Sequence, residues 1–407
     1  MQLRDRVRDS RTVRGTLATA AAAGVVLSLA GAGHAPSPSG SPVRQPPAQM
    51  STVGGDALGR PGPQTGAGAP ALPGGLSALS WIVSDADTGE VLAAQNPHWA
   101  LPPASTLKTL FADTVLPKFP QDTTHKVVES DFDGMGAGSS EVGVMPGQTY
   151  SVADLWLGVF LRSGNDAVHV LAAMNGGVAA TVQQMQARAD ALGAKDTHVV
   201  TPDGYDMPGQ VSSAYDLTLF ARDGLKNPVF AKDCGTAIAK FPGGPSTKGK
   251  PFEIDNTNRL LTGFDGVGGR YAGLLGVKNG YTTNAGNTVI EAAHRDGRTL
   301  LVTVMNPQNH AYAEVYHEAR ALLDWGFAAD GHTQPLGTLD ATKSTSTDAT
   351  RPSAPAKPGG ASAGTWPAAS SKPAGSSTTT YAAAGVAAAL VAGTAGALVR
   401  RRRRRRP

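Results

Sequence analysis

Two zones of short β-prone apolar runs bracket a longer stretch in which apolar residues recur at helical spacing. Ser80-Trp81-Ile82-Val83-Ser84 and Glu90-Val91-Leu92-Ala93 flank Asp85-Ala86-Asp87-Thr88-Gly89, a turn-forming sequence, so they predict a β-hairpin. Leu300-Leu301-Val302-Thr303-Val304-Met305 predicts another strand. Between them, apolar spacing predicts helices over 105–116, 152–161, 165–174, 178–192 and 214–222, and a last helix follows over 313–325. Strands at both ends with helices between predict an α/β (α+β) body. In it, the terminal strands meet in an antiparallel sheet, with a helical cluster on one side.

The pattern changes outside residues 76–330. Arg4, Arg6, Arg8, Arg11 and Arg14 precede an uninterrupted apolar run that closes on Gly33-His34-Ala35, which predicts a secretory signal peptide over 1–35. Residues 36–75 and 331–380 are dominated by Pro, Gly, Ser, Thr and Ala. Such segments bury too little apolar area to offset ordering entropy, and both are expected to be disordered, as a linker and a stalk. Residues 381–399 carry no charge and run directly into seven arginines. This predicts a C-terminal transmembrane helix, an Arg tail over 400–407 in the cytoplasm, and a body facing outward.

Charge alters the picture only when it is divided by region. The chain of 407 residues has a formal net charge of +4. From Ser77 to Asp340, however, 18 Lys and Arg stand against 28 Asp and Glu, a net −10. A body of that sign does not track phosphate, so no nucleic-acid partner is expected. One cysteine, Cys234, excludes an intramolecular disulfide framework and any multi-cysteine metal site.

Three polar clusters carry candidate chemistry. In Pro103-Ala104-Ser105-Thr106-Leu107-Lys108, residues three apart share a helix face, so the Lys108 amine can reach the Ser105 hydroxyl and take its proton. The Ser-x-x-Lys spacing alone also suits a helix cap followed by a surface lysine. In Ser163-Gly164-Asn165-Asp166, a second hydroxyl and a carboxamide could relay a proton and hold a substrate amide; a plain helix cap is the alternative. In Lys278-Asn279-Gly280-Tyr281-Thr282, Gly280 admits close approach of a substrate backbone to a strand edge. Lys278 would bring a second cation toward Lys108 and lower its pKa. An edge strand guarded by lysine would look the same.

In this order, the clusters resemble the Ser-x-x-Lys, Ser-x-Asn and Lys-Thr-Gly elements of the serine-type D-alanyl-D-alanine carboxypeptidases, the low-molecular-weight penicillin-binding proteins of peptidase family S11. Pro202-Asp203-Gly204, Ala214-Tyr215-Asp216-Leu217, Asn256-Thr257-Asn258-Arg259-Leu260-Leu261 and Leu323-Asp324-Trp325-Gly326-Phe327 add to the likeness, which covers the whole body. The resemblance implies a penicillin-recognising serine transpeptidase/β-lactamase-like fold. It also implies peptidoglycan stem peptides ending in D-Ala-D-Ala as substrates, β-lactams as inhibitors, and no metal or organic cofactor. Ser105 would be the nucleophile and Lys108 its base. Ser163 would pass a proton to the leaving amine, and Asn165 would orient substrate or Lys108. Lys278, Asn279, Gly280, Tyr281 and Thr282 would bind substrate, with backbone amides of Ser105 and Tyr281 forming the oxyanion hole.

Two departures from the family stand at the substrate carboxylate. Asn279 replaces the threonine of Lys-Thr-Gly, and residues 307–313 lack the arginine that family members commonly carry after the strand ending near Met305. They motivate a rival reading, a catalytically impaired protein that binds wall peptides. A β-lactamase is disfavoured, because no Glu-x-x-Leu-Asn segment lies between the second and third clusters.

Overall fold

The computed structural model describes residues 45–264, 266–329 and 331–340. Along the chain these form β1 (Pro63–Thr65), β2 (Ala78–Asp85), β3 (Glu90–Gln95), α1 (Lys108–Val115), β4 (Thr124–Lys126) and β5 (Thr149–Ser151). The helical cluster follows with α2 (Val152–Arg162), α3 (Asn165–Met174), α4 (Val178–Ala191), α5 (Ala214–Gly224) and α6 (Pro228–Cys234). Then come β6 (Ile238–Phe241), β7 (Phe252–Asp255), α7 (Arg259–Thr262), β8 (Leu274–Thr282), β9 (Gly286–Arg295), β10 (Arg298–Pro307), α8 (Glu314–Ala329) and β11 (Gly337–Thr338).

Seven strands make one antiparallel sheet in the order β1-β3-β2-β10-β9-β8, with β11 also on the outer edge of β3. The ends of the body meet as the pattern predicts: Val302 lies opposite Val83 and Val304 opposite Trp81. Both faces of the sheet are covered. Ile82, Leu301 and Met305 pack into the core shared with the helical cluster, whereas Trp81, Val83, Val302 and Val304 pack with Ala319, Leu322 and Leu323 of α8. Burial on both faces is why these strands read as continuous apolar runs and not as alternation. Local chemistry sets the helix starts. Ser151 and Asp154 form a reciprocal cap on α2, and Ser213, Asn227 and Asn258 cap α5, α6 and α7.

The expected linker over 36–75 needs correction where it is described. Leu58, in a 3-10 turn at Asp56–Gly59, is fully buried, Met50, Val53 and Leu72 pack against the core, and Pro63–Thr65 joins the sheet. Proline is compatible with this place because β1 is an edge strand. The start of the expected stalk also folds back: Gly337 and Thr338 pair with Val91 and Glu90, and Thr338 N–H donates to the Gly54 carbonyl at 2.8 Å. The expected signal peptide over 1–35, the remainder of the stalk, the transmembrane helix over 381–399 and the Arg tail lie outside the described residues. Among the described residues, no helix is long and apolar enough to cross a membrane.

Candidate active site

Ser105 sits in a 3-10 turn, Ala104–Leu107, that runs into α1, so the helix expected over 105–116 begins with a tighter first turn. Three neighbours fasten this turn. Thr288 Oγ1 donates to the Pro103 carbonyl at 3.0 Å, which ties β9 to the turn. A methyl at Gly204 would lie 1.9 Å from the Ala104 oxygen, and one at Gly280 would lie 2.6 Å from the Ser105 nitrogen. Glycine at both places therefore lets the 202–204 loop and strand β8 close on the hydroxyl from two sides.

Lys108 reaches back one turn, as its spacing predicts. Its Nζ donates to Ser105 Oγ at 2.7 Å and to the Asp203 carbonyl at 2.7 Å. The side chain is fully buried, and that burial lowers its pKa to about 8 against the opposing pull of the Asp203 and Asp166 carboxylates. Lys278 is buried too, its Nζ donating to the Asn279 carbonyl at 2.7 Å. Burial, and secondarily the charge of Lys108, hold Lys278 well below the usual lysine value. Desolvation is thus the largest cause of the lowered Lys108, and the two amines are close enough to repel each other.

The second cluster closes the opposite wall. Ser163 ends α2 in the left-handed conformation (φ 57°), and its buried hydroxyl has no hydrogen-bond partner among the described residues. Asn165 opens α3. Its amide donates to Ser139 Oγ at 2.9 Å, while its side-chain oxygen is buried and unpartnered. Asp166 accepts from the backbone N–H groups of Val142, Gly143 and Val144, pinning the 137–144 segment beside the cluster. Together these elements enclose a cavity of about 270 Å³ whose walls include Ser105, Ser139, Asn165, Gly204, Tyr281 and Thr282.

The third cluster lies along β8, the last strand of the sheet. Asn279 accepts from Thr257 Oγ1 at 2.9 Å, and its amide –NH₂ is taken by no acceptor among the described residues. Tyr281 is exposed at the cavity mouth, and Thr282 Oγ1 donates to Asp206 at 2.7 Å. Residues 307–313 contribute no arginine, but Arg162 and Arg259 line a neighbouring hollow of about 430 Å³ that includes Thr257, the partner of Asn279.

The structure thus brings Ser105, Lys108, Asn165, Gly280, Tyr281 and Thr282 together around one cavity, with Lys278 near enough to feel the Lys108 charge, whereas Ser163 and Asn279 do not line that cavity. Chemical reasoning on the sequence missed Asp203, Ser139 and Asp206. Asp203 acts on Lys108 through its backbone oxygen, which leaves no side-chain signature. Burial would raise its carboxyl, but the adjacent His169 imidazole, the charge of Lys108, the Tyr205 N–H and the Thr201 hydroxyl overcome this and lower it to about 2. Cys234 is buried away from these clusters, and burial pushes its thiol up.

A buried amine with a lowered pKa in contact with a hydroxyl at a helix start can generate an alkoxide nucleophile. Comparison with known proteins agrees with that chemistry. The D-alanyl-D-alanine carboxypeptidase family, peptidase S11, matches residues 65–309. The chain is 40% identical over 265 residues to D-alanyl-D-alanine carboxypeptidase DacB2 of Mycobacterium tuberculosis, covering 64% of this chain and 86% of that one. It is 32% identical to D-alanyl-D-alanine carboxypeptidase DacD of Escherichia coli, over 62% of this chain and 63% of that one, so it spans under two thirds of that longer relative. A crystal structure of D-alanyl-D-alanine carboxypeptidase from M. tuberculosis superposes with a TM-score of 0.60 at 37% identity, covering 68% of this chain and 99% of that one. The Streptomyces K15 DD-transpeptidase superposes with a TM-score of 0.57 at 26% identity, over 64% and 100%. On these grounds, the chain belongs to the S11 family of D-alanyl-D-alanine carboxypeptidases, and is a hydrolase of the serine type.

Proposed function

We propose that the protein removes the terminal D-alanine of peptidoglycan stem peptides through an acyl-enzyme on Ser105. The observation that carries this is the 2.7 Å contact between Lys108 Nζ and Ser105 Oγ, with the amine lowered to about 8. Unprotonated Lys108 takes the hydroxyl proton as Oγ attacks the carbonyl between the two D-alanines. The backbone N–H groups of Ser105 and Tyr281 face the developing oxyanion. The C–N bond then breaks, and Ser163, whose hydroxyl is unpartnered, passes a proton to the departing amine of D-alanine and recovers one from protonated Lys108, which becomes a free base again. Water next attacks the ester, giving the shortened peptide acid and restoring Ser105. Asn165 orients the substrate amide with its unpartnered oxygen. The –NH₂ of Asn279 and the amine of Lys278 draw the terminal carboxylate, the role the missing threonine would have shared. Gly280 and Thr282 leave the edge of β8 open to the peptide. β-Lactams acylate the same hydroxyl. The leader over 1–35 and the apolar segment over 381–399 support export, with retention of the body outside the membrane.

D-Alanine release from diacetyl-Lys-D-Ala-D-Ala tests this reading. Wild type releases it, and Ser105→Ala loses release together with labelling by a fluorescent penicillin. Equal release by the two proteins overturns the reading.

A further inference from the structure

The residues assigned to the reaction fall in a fixed order along β8: the carboxylate at Asn279, the carbonyl under attack at the Tyr281 N–H, then Thr282. A strand advances about 3.3 Å per residue. A peptide lying along this edge with its carboxylate at Asn279 must therefore carry its next upstream side chain past Thr282, toward the turn into β9. At that place stands the carboxylate of Asp206. One oxygen accepts from Thr282 Oγ1 at 2.7 Å and the other from Asn284 N–H at 2.9 Å, so it is held against the end of β8 from the loop that follows Asp203. Each oxygen keeps a lone pair for another donor.

The cavity walls carry two ionisable acids and no basic side chain, since Lys108 and Lys278 are buried behind them. Asp203 is itself buried and bonded to Thr201 and Tyr205, with His169 Nε2 at 3.4 Å. Asp206 is half-exposed, and is the one carboxylate the cavity walls leave accessible to a ligand. We infer that Asp206 is a specificity residue that selects stem peptides bearing a free amine on the side chain next to D-Ala-D-Ala. The inference rests on the carboxypeptidase reading and adds the chemistry of the third residue to it.

Two tripeptides that differ by one acetyl group separate the possibilities: Nα-acetyl-Lys-D-Ala-D-Ala, with a free side-chain amine, and the diacetyl form, without one. With the full-length protein, kcat/KM should favour the free amine by about tenfold, the range of one charge-assisted contact at a partly exposed site. Raising the salt should narrow that ratio. In Asp206→Asn the ratio should fall to near one, and Asp206→Glu should restore part of it. Equal rates for the two peptides in wild type, a ratio that does not respond to salt, or an Asn variant that slows both peptides alike overturns the inference and leaves the reaction standing. Release from neither peptide overturns the carboxypeptidase reading and this inference with it.

Discussion

As the proposed base, Lys108 has to exist without its proton, and burial is the main cause that lowers it. The fully buried amine is lowered to about 8, although two carboxylates pull the other way. The base is the unprotonated form, so kcat/KM should rise with pH, tenfold per unit at first, and level off above about 8. A profile that is flat from pH 6 to 9 would show that another group activates Ser105. Glu291 obeys the same physics with the opposite outcome. It is fully buried on β9, one oxygen accepts from Asn258 at 2.8 Å, the other has no partner among the described residues, and burial raises its pKa to about 8. Its folded-state value lies above its unfolded one, so its protonated form supports folding fully below about pH 4.5. That support is lost as pH climbs toward 8. Glu291→Gln should therefore gain stability on the order of a few kcal/mol at pH 8 relative to wild type, and much less at pH 5, by urea unfolding at both values.

At the scale of elements, catalytic alignment rests on how closely β8 and the Ser105 turn approach each other. A methyl at position 280 would fall 2.6 Å from the Ser105 nitrogen, 2.8 Å from Thr288 Oγ1 and 3.0 Å from the Ala104 methyl. The strand would have to withdraw by a substantial fraction of an ångström. Gly280→Ala should then lower kcat/KM by about a hundredfold, with circular dichroism and melting little changed, because near-attack geometry is far more sensitive than the sheet. Much of this level is legible in the sequence. The hairpin of β2 and β3 and the helices α2 to α5 and α8 announce themselves by spacing, and α2 and α5 also by side-chain caps. Ser105, Lys108 and Lys278 are legible because each combines a reactive side chain with a local spacing rule. What escapes is long-range or made by the main chain. The bond from Lys108 to the Asp203 carbonyl, 95 residues away, cannot be read from side-chain chemistry, although Pro202-Asp203-Gly204 adds to the family likeness. Asp206 looks like a loop acid until Thr282 is folded against it. The pairs β4–β5 and β6–β7, of three and four residues a strand, are too short for a periodic pattern to stand out.

For the molecule as a whole, composition misleads at both margins. A run rich in Pro and Gly has low average hydrophobicity, yet a few anchors suffice to place it when an open sheet edge is available. Leu58 fills the core, and β1 and β11 supply pairing partners to β3, whose outer backbone groups would otherwise invite association with another chain. The edge they cover lies across the sheet from β8, so the two margins of the body hold one side while the other stays open to a peptide. The bond from Thr338 to Gly54 also makes the beginning and end of the folded body immediate neighbours. The enzyme should accordingly survive circular permutation. Joining residue 340 to residue 50 through a short Gly-Ser bridge, and reopening the chain at the exposed Lys248–Gly249 turn, should yield a protein that still takes up fluorescent penicillin at Ser105.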